Sequence, residues 1–591
     1  MLLFFLLVSL LSALYCSERR ALFFLLSSDS FFFLLAALLL LLYSQFFSFA
    51  REQWRLRGFR GPLAIPIVGN CYQPSLNMRS LLRYLAELRR SYGKIFTLHL
   101  FSKAYLVVLD PVLVRRVLSD NKTFVTDTEV CSAFSGIFGN RLLYSEVHTP
   151  RQRDVKNIVR RVLARRNVAR NLPVLNSLAA QSVRDLIAEK LQWMQNFSED
   201  AFTVHVDQFF TLIALRVLLN VTLKTDFRAT PEKERHACRE VHRAGHLLQY
   251  LLSLTHLLPR WLLWPVHWIL GFWRRAHYDE VAKKIKVQMK LREEKFAAEL
   301  SSEINESVKE ARHDFEGGSD DFLCAIDRGE LTIQEVAEHM IALCGAGQES
   351  SCYFASFACL LLAQNPEKQD KLRATIIEQL GDREEVTADD LTQLVYLQQV
   401  LQEVLRLYTI VPTALRKSKR DVTVKDCSLS DNSTHWTSQN PASPDSAQAR
   451  GANDITIPAG TNILIPFYLM NRDPSVWPEP AAFKPERFEQ KWGLGIGREQ
   501  GCSLGDASAD YSNARAGFYP FGYGNRTCIG AAMVQAEVSV MLCHLLRRVV
   551  LSPDPTFQCT ISAATLLTPT NGVQVRMKVI RDETPLDSLL R

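Results

Sequence analysis

One cysteine constrains this chain more than any other residue. The stretch Phe521-Gly522-Tyr523-Gly524-Asn525-Arg526-Thr527-Cys528-Ile529-Gly530 sets Cys528 in a glycine-rich bend that opens a predicted helix, Ala531 to Arg548. A cysteine sulfur is a useful metal ligand only as the thiolate, which backbone N–H groups, a helix N-terminus and nearby cations stabilise. This stretch supplies all three. Gly522, Gly524 and Gly530 allow tight turns that aim N–H groups at the sulfur, Arg526 places a cation two residues away, and Phe521 can shield one side from water. A free cysteine is otherwise commonly a small core residue. The complete F-x-x-G-x-R-x-C-x-G spacing is what separates Cys528 from the other twelve of the thirteen cysteines.

Those thirteen cysteines show no regular spacing and no C-x-x-C pair, so they read as reduced thiols facing a cytosolic environment. With 591 residues and 47% hydrophobic content, the chain can bury a substantial core. The net charge of +7 is spread along the length, which excludes a nucleic-acid-binding tail and suits an anionic membrane surface or an acidic partner.

Phe31 to Ala50 is a run of twenty residues with no formal charge, about the length of a helix that crosses the hydrocarbon core. It predicts a transmembrane anchor within an N-terminal region 1–50. A shorter apolar run, Leu2 to Tyr15, precedes it and makes a poor signal peptide, because no basic residue comes before it. Arg51, Arg55, Arg57 and Arg60 follow the anchor, placing the bulk of the protein on the cytoplasmic side. A basic and proline-rich hinge at 51–75 contains Gly61-Pro62-Leu63-Ala64-Ile65-Pro66-Ile67-Val68-Gly69-Asn70, and the catalytic domain is expected over 76–591. Beyond it come a helical pattern, Met78 to Tyr92, and two strand-like runs, Ile95 to Leu100 and Tyr105 to Leu109. Leu247 to Trp273, with Trp261, Trp264, Trp268 and Trp273, suits either a membrane interface or a lid packed on the core.

Leu331 to Gln364 reads as one long helix carrying Ala346-Gly347-Gln348-Glu349-Ser350-Ser351 at its middle. A glycine inside a helix weakens it by about 1 kcal/mol relative to alanine, so Ala346-Gly347 marks close approach of something to the backbone. Glu349 and Ser350 form an acid–alcohol pair able to relay protons. Glu403 and Arg406 share a helical face. Residues 431–452, rich in Ser, Asn and Pro, predict a disordered insert. No P-loop or dinucleotide fingerprint precedes a helix.

These motifs resemble, in their order, the cytochrome P450 family of haem-thiolate monooxygenases. The resemblance spans roughly Pro62 to Val579 and rests on hinge, acid–alcohol helix, E-x-x-R, the Pro485-Glu486-Arg487-Phe488 segment and the cysteine loop. It implies a mainly α fold with a small β subdomain, preceded by an N-terminal transmembrane helix. By resemblance haem b lies between the Glu349 helix and the Cys528 loop. Cys528 would be the axial iron ligand, and Arg526, Phe521, Ala346 and Gly347 would meet the cofactor. Arg416, with Arg153 on the basic helix beginning near His148, would meet the haem propionates; Arg151 is the alternative to Arg153. Glu403, Arg406 and Arg487 would form a buried structural network. Substrate contacts would come from Phe134, Ile137, Phe138, Ile410, Val411 and Leu415.

The implied reaction inserts one atom of dioxygen into a lipophilic small molecule. Electrons would come from a separate NADPH–cytochrome P450 reductase, with cytochrome b5 as a second donor, and the stretch Lys491 to Gly517 would lie on the docking face. The expected setting is the endoplasmic reticulum membrane, with lipid rather than nucleic acid as a partner. Two rivals are a haem-thiolate isomerase or dehydratase, against which Glu349-Ser350 argues, and a non-catalytic haem sensor or carrier. The chain departs from the family in carrying Ser350 where threonine is usual, and in lacking the tryptophan that usually precedes the arginine at Arg153.

Overall fold

The computed structural model describes residues 28–72, 81–126, 150–194, 201–224, a few positions between 282 and 294, and residues 321–425, 454–489, 517–563 and 566–580. The expected insert 431–452, the tryptophan-rich segment 247–273, the stretch 491–516 and the loop carrying Phe134, Ile137 and Phe138 lie outside them. What is described is mostly helical, with four small sheets.

The central helix, Ile333–Gln364, is the axis of the larger core. It begins two residues later than its apolar pattern suggests, because Thr332 and Glu335 close a capping box: the Thr332 N–H donates to Glu335 Oε2 at 2.9 Å, and the Glu335 N–H donates to Thr332 Oγ1 at 3.2 Å. From Ser351 to Ala363 every residue is buried, so this half of the helix has no solvent face. The apolar helix Val206–Leu223 packs along it, and Thr211 Oγ1 donates to Cys352 Sγ at 3.2 Å. Among the described residues, Val206–Leu223 meets the length and apolarity of a membrane span, and its burial accounts for those properties. The helix Ala531–Leu546, hereafter the thiolate helix, packs against the central helix and against Leu172–Met194. It stops at Leu546 instead of Arg548 because a strand, Val549–Pro553, starts almost at once and pairs with Gln574–Val579.

A second core surrounds a five-stranded sheet ordered Ile95–Leu100, Lys103–Val108, Asn462–Ile465, Ala414–Ser418 and Phe124–Val125. The first two strands form the expected hairpin, with Ile95 opposite Val108. The pairing of Lys103–Val108 with Asn462–Ile465 is parallel, so chain segments more than 350 residues apart share one surface.

The N-terminal helix runs Ser28–Arg55, past the expected boundary at residue 50. Leu35, Leu39, Leu40, Leu42, Tyr43, Phe46 and Phe47 are exposed along it. Its C-terminal end docks on the sheet instead of hanging free. Phe49 is buried with its ring 5.4 Å from that of His99, Ser102 Oγ donates to Gln45 Oε1, and Arg55 Nη1 donates to the Gly460 carbonyl at 3.0 Å. The hinge is pinned as well: Gly69 has φ +66°, and a Cβ there would meet the carbonyl oxygens of His99 and Phe101 at 2.6 Å.

Candidate active site

The cysteine loop is built from short-range hydrogen bonds that the glycines permit. The Gly522 N–H donates to the Tyr519 carbonyl at 3.0 Å, the Thr527 N–H to the Gly524 carbonyl at 3.0 Å and the Cys528 N–H to the Phe521 carbonyl at 2.8 Å. Gly522 and Gly524 sit at φ +76° and +73°. At Gly524 there is also no room for a side chain, since a Cβ would lie 2.6 Å from the Leu118 carbonyl oxygen. That contact seats the loop on the helix Pro111–Ser119.

Cys528 is exposed, yet it is crowded enough by protein that burial pushes its thiol above the ordinary value; hydrogen bonds from the Gly530 and Ala531 backbone N–H groups pull the other way. The sulfur therefore faces an opening inside the fold, under the first N–H groups of a helix. A Cβ built on Gly530, two residues after the cysteine, meets nothing within 4 Å. Phe521 is half-buried against the larger core and Arg526 is half-buried in the loop.

On the central helix, Ala346 is exposed between the half-buried Gly345 and Gly347, and a Cβ on Gly347 would touch only Leu218, at 3.7 Å. An exposed Ala346 on the central helix and an exposed Cys528 just before the helix packed against it together fit a flat cofactor ligated by sulfur. Ser350 Oγ donates to the Ala346 carbonyl at 2.8 Å and lies 3.3 Å from that of Gly347, so its proton points back into the helix and its lone pairs face outward. Glu349, one position earlier, points about 100° away by helix geometry. Its charge acts one turn on, raising the Tyr353 hydroxyl and the Cys352 thiol, although burial is the larger cause in both.

The structure brings Glu403, Arg406 and Arg487 together. Arg406 Nε donates to Glu403 Oε2 at 2.7 Å and Nη2 to Oε1 at 2.8 Å, while Arg487 Nε donates to Oε1 at 3.2 Å. Arg406 spends its remaining donors on the Asn471, Pro480 and Ala482 carbonyls at 2.9, 2.8 and 3.2 Å, so the guanidinium is fully satisfied with no exposed surface.

The basic helix, Pro150–Val162, separates its two candidate arginines. Arg151 is engaged by Glu335 of the central helix at 2.7 and 3.1 Å; burial alone would raise that carboxyl, and the hydrogen bonds from Arg151 and Thr332 hold it below the ordinary value. Arg153 is exposed. Lys156, which sequence reasoning missed, lies half-buried on the same face as Arg153, and burial followed by the nearby charges of Arg526 and Arg160 draws its ammonium down to about 8. The i, i+3 spacing within a run of basic residues was the available signal. Arg416 is buried in its strand and its Nη1 donates to the Leu415 carbonyl at 2.8 Å. Of the described pocket candidates, Ile410 is buried, Leu415 half-buried and Val411 exposed.

The family model for cytochrome P450 matches residues 59–434 and 450–577, breaking inside the segment read as an insert. The chain belongs to the cytochrome P450 family. It is 24% identical over 506 residues to cytochrome P450 97B2, chloroplastic, of Glycine max, covering 82% of this chain and 81% of that one. Cytochrome P450 3A13 of Mus musculus is 30% identical over 259 residues, 44% of this chain and 42% of its own. Thromboxane-A synthase of Sus scrofa is 23% identical over 548 residues, 88% and 92% of the two chains. As a cytochrome P450 this chain is a haem-binding oxidoreductase that works with dioxygen.

Proposed function

We propose that this chain is a membrane-anchored monooxygenase that inserts one oxygen atom into a lipophilic small molecule, with electrons from a separate NADPH-dependent cytochrome P450 reductase and cytochrome b5 as a second donor. The observation that carries the reading is a crowded Cys528 sulfur just before the thiolate helix, which packs against the central helix where Ala346 is exposed. Bound haem supplies the electron-transfer and oxygen-activating chemistry.

The chain's own residues divide the remaining work. Cys528 would hold the iron; Ala346 and Gly347 would leave space for the macrocycle; Arg416 and Arg153 would pair with its carboxylates, and Phe521 and Arg526 would stand on the thiolate side. Ser350 offers its lone pairs to a water or substrate oxygen while its proton is held by the Ala346 carbonyl, and Glu349 supplies the exchangeable proton. Ile410, Val411 and Leu415, with Phe134, Ile137 and Phe138, line the substrate pocket. Glu403, Arg406 and Arg487 hold the segment before the cysteine loop. The uncharged run within Ser28–Arg55 crosses the endoplasmic reticulum membrane, and Arg51, Arg55, Arg57 and Arg60 keep the catalytic domain cytoplasmic.

The test is turnover of the membrane-reconstituted protein with NADPH and reductase, using lipophilic compounds first selected by their shift of the haem absorption band. Product should require both NADPH and reductase. Ser350→Ala should retain haem and substrate affinity but form less product per NADPH, the difference appearing as peroxide, and Ser350→Thr should restore coupling. Product formed from a peroxide substrate without NADPH would overturn the monooxygenase reading.

A further inference from the structure

One turn beyond Glu349, the central helix carries two aromatic side chains that the proposed chemistry does not use. Tyr353 and Phe357 stand four residues apart, so they share one face, and both are buried. Phe357 stacks on Tyr408, with ring centroids 4.1 Å apart and planes 8° from parallel. The Tyr353 hydroxyl shares a hydrogen bond with Thr568, which lies in a hairpin that pairs Ile561–Ala563 with Leu567–Pro569. The two contacted segments are joined in turn. The Leu567 N–H donates to the Ile410 carbonyl at 2.8 Å, and Tyr408 packs against the small apolar cluster of Ala563 and Leu567.

The segment 408–412 is tied from its other side as well. Asn471 Nδ2 donates to Thr409 Oγ1 at 2.9 Å, and the Tyr468 N–H donates to the Pro412 carbonyl at 3.1 Å. Between these ties Val411 is exposed. A close-packed interior transmits displacement instead of absorbing it, so moving the hairpin or the Tyr408 ring moves the Ile410 backbone. A buried tyrosine hydroxyl also needs its partner, which makes the Thr568 contact a fixed point and not a sliding one.

We propose that Tyr353 and Phe357 are specificity-determining positioning residues: they hold the hairpin and the 408–412 segment as one rigid unit, and so set where Ile410 and Val411 stand. The inference rests on the reading of Ile410 and Val411 as pocket residues. Tyr353 and Phe357 are occupied by Thr568 and Tyr408, so they act through that unit. A wall fixed in this way selects by shape. A rigid polycyclic hydrocarbon skeleton either fits it or does not, whereas a flexible alkyl chain adapts to small displacements. Loosening the unit therefore costs rigid ligands more than flexible ones.

The experiment uses the full-length, haem-loaded protein and a panel of rigid polycyclic and flexible-chain lipophilic compounds. Tyr353→Phe and Thr568→Val delete one hydrogen bond from its two ends. Each should raise exchange of the Leu567 amide about fivefold without substrate, with no further rise when the two are combined. Haem content and the carbon-monoxide spectrum should not change. Dissociation constants, read from the shift of the haem absorption band, should rise about fivefold for the rigid compounds that bind best and hardly at all for flexible ones. Phe357→Leu should act in the same direction. In Ile410→Ala the preference for rigid compounds should already be lost, so adding Tyr353→Phe should change nothing more. Exchange and binding are read without turnover, so both results stand even if product forms without reductase. Unchanged exchange at Leu567 in Tyr353→Phe, equal losses for rigid and flexible compounds, or an effect of Tyr353→Phe that persists in full in Ile410→Ala would each overturn the proposal.

Discussion

Two carboxyl groups are buried to nearly the same depth in this protein and live in opposite surroundings. Glu403 has no exposed surface and accepts hydrogen bonds from Arg406, Arg487 and the Lys484 backbone N–H. Glu537, on the thiolate helix, is 3% exposed and has a single hydroxyl partner, Ser351. The first is a charge fixed in place by other charges, suited to locking segments together. The second is an acid whose charged form is disfavoured by burial, with no opposite charge beside it to offset the cost. Depth of burial does not assign a role; the partners do.

The largest effect should come from the first site. Arg406→Met leaves a carboxylate in the interior with only the partly exposed Arg487 and the Lys484 backbone N–H as partners, and breaking a buried pair in this way destabilises by on the order of 3–5 kcal/mol. Thermal inactivation and haem content should both fall sharply. Glu537→Met, a change of similar size, should be close to neutral in stability because no charge is orphaned. Equal losses at the two sites would break the comparison.

A smaller effect distinguishes them by pH. The folded protein holds the Glu537 proton up to about 8, whereas an unfolded chain releases it near the ordinary 4.5. Between those values the native state binds more protons than the unfolded one, so stability contributed by this group falls as pH rises from 4.5 toward 8. Glu537→Gln should flatten that slope in inactivation temperatures measured across the range. A slope identical to that of the parent would show that Glu537 is ionised in the fold.

The smallest effect concerns Ser351. Ser351→Ala removes one hydrogen bond and should lower stability by about 1 kcal/mol, read as a modest drop in inactivation temperature. A loss as large as that of Arg406→Met would make Ser351 a structural lock like the Glu403 network.

The contrast also shows what a sequence reveals. Glu403 and Arg406 were legible because they stand three residues apart on one helical face, Arg487 only through the resemblance carried by its Pro-Glu-Arg-Phe segment, and the cysteine loop because its glycines occupy positions where backbone geometry permits little else. The hairpin and the central helix were legible to within two residues from alternating and helical apolar patterns, with the capping box deciding where the helix begins. Glu537 and Gln348 were not, since a lone acid or amide within a helix usually faces water, and only tertiary packing turned these inward. Lys156 was obscured by its basic neighbours. The docked end of Ser28–Arg55 was hidden for another reason: an uncharged run shows how long an apolar segment is, but not that Phe49 and Arg55 find partners on a distant sheet.

The most direct test of the account is the absorption spectrum of the reduced, carbon-monoxide-bound protein, comparing the parent with Cys528→Ser. The parent should show the long-wavelength band of a thiolate-ligated haem, and Cys528→Ser should lose it while the Glu403–Arg406 network keeps the protein folded. Persistence of the thiolate band in Cys528→Ser would place another cysteine on the iron and contradict the site described above.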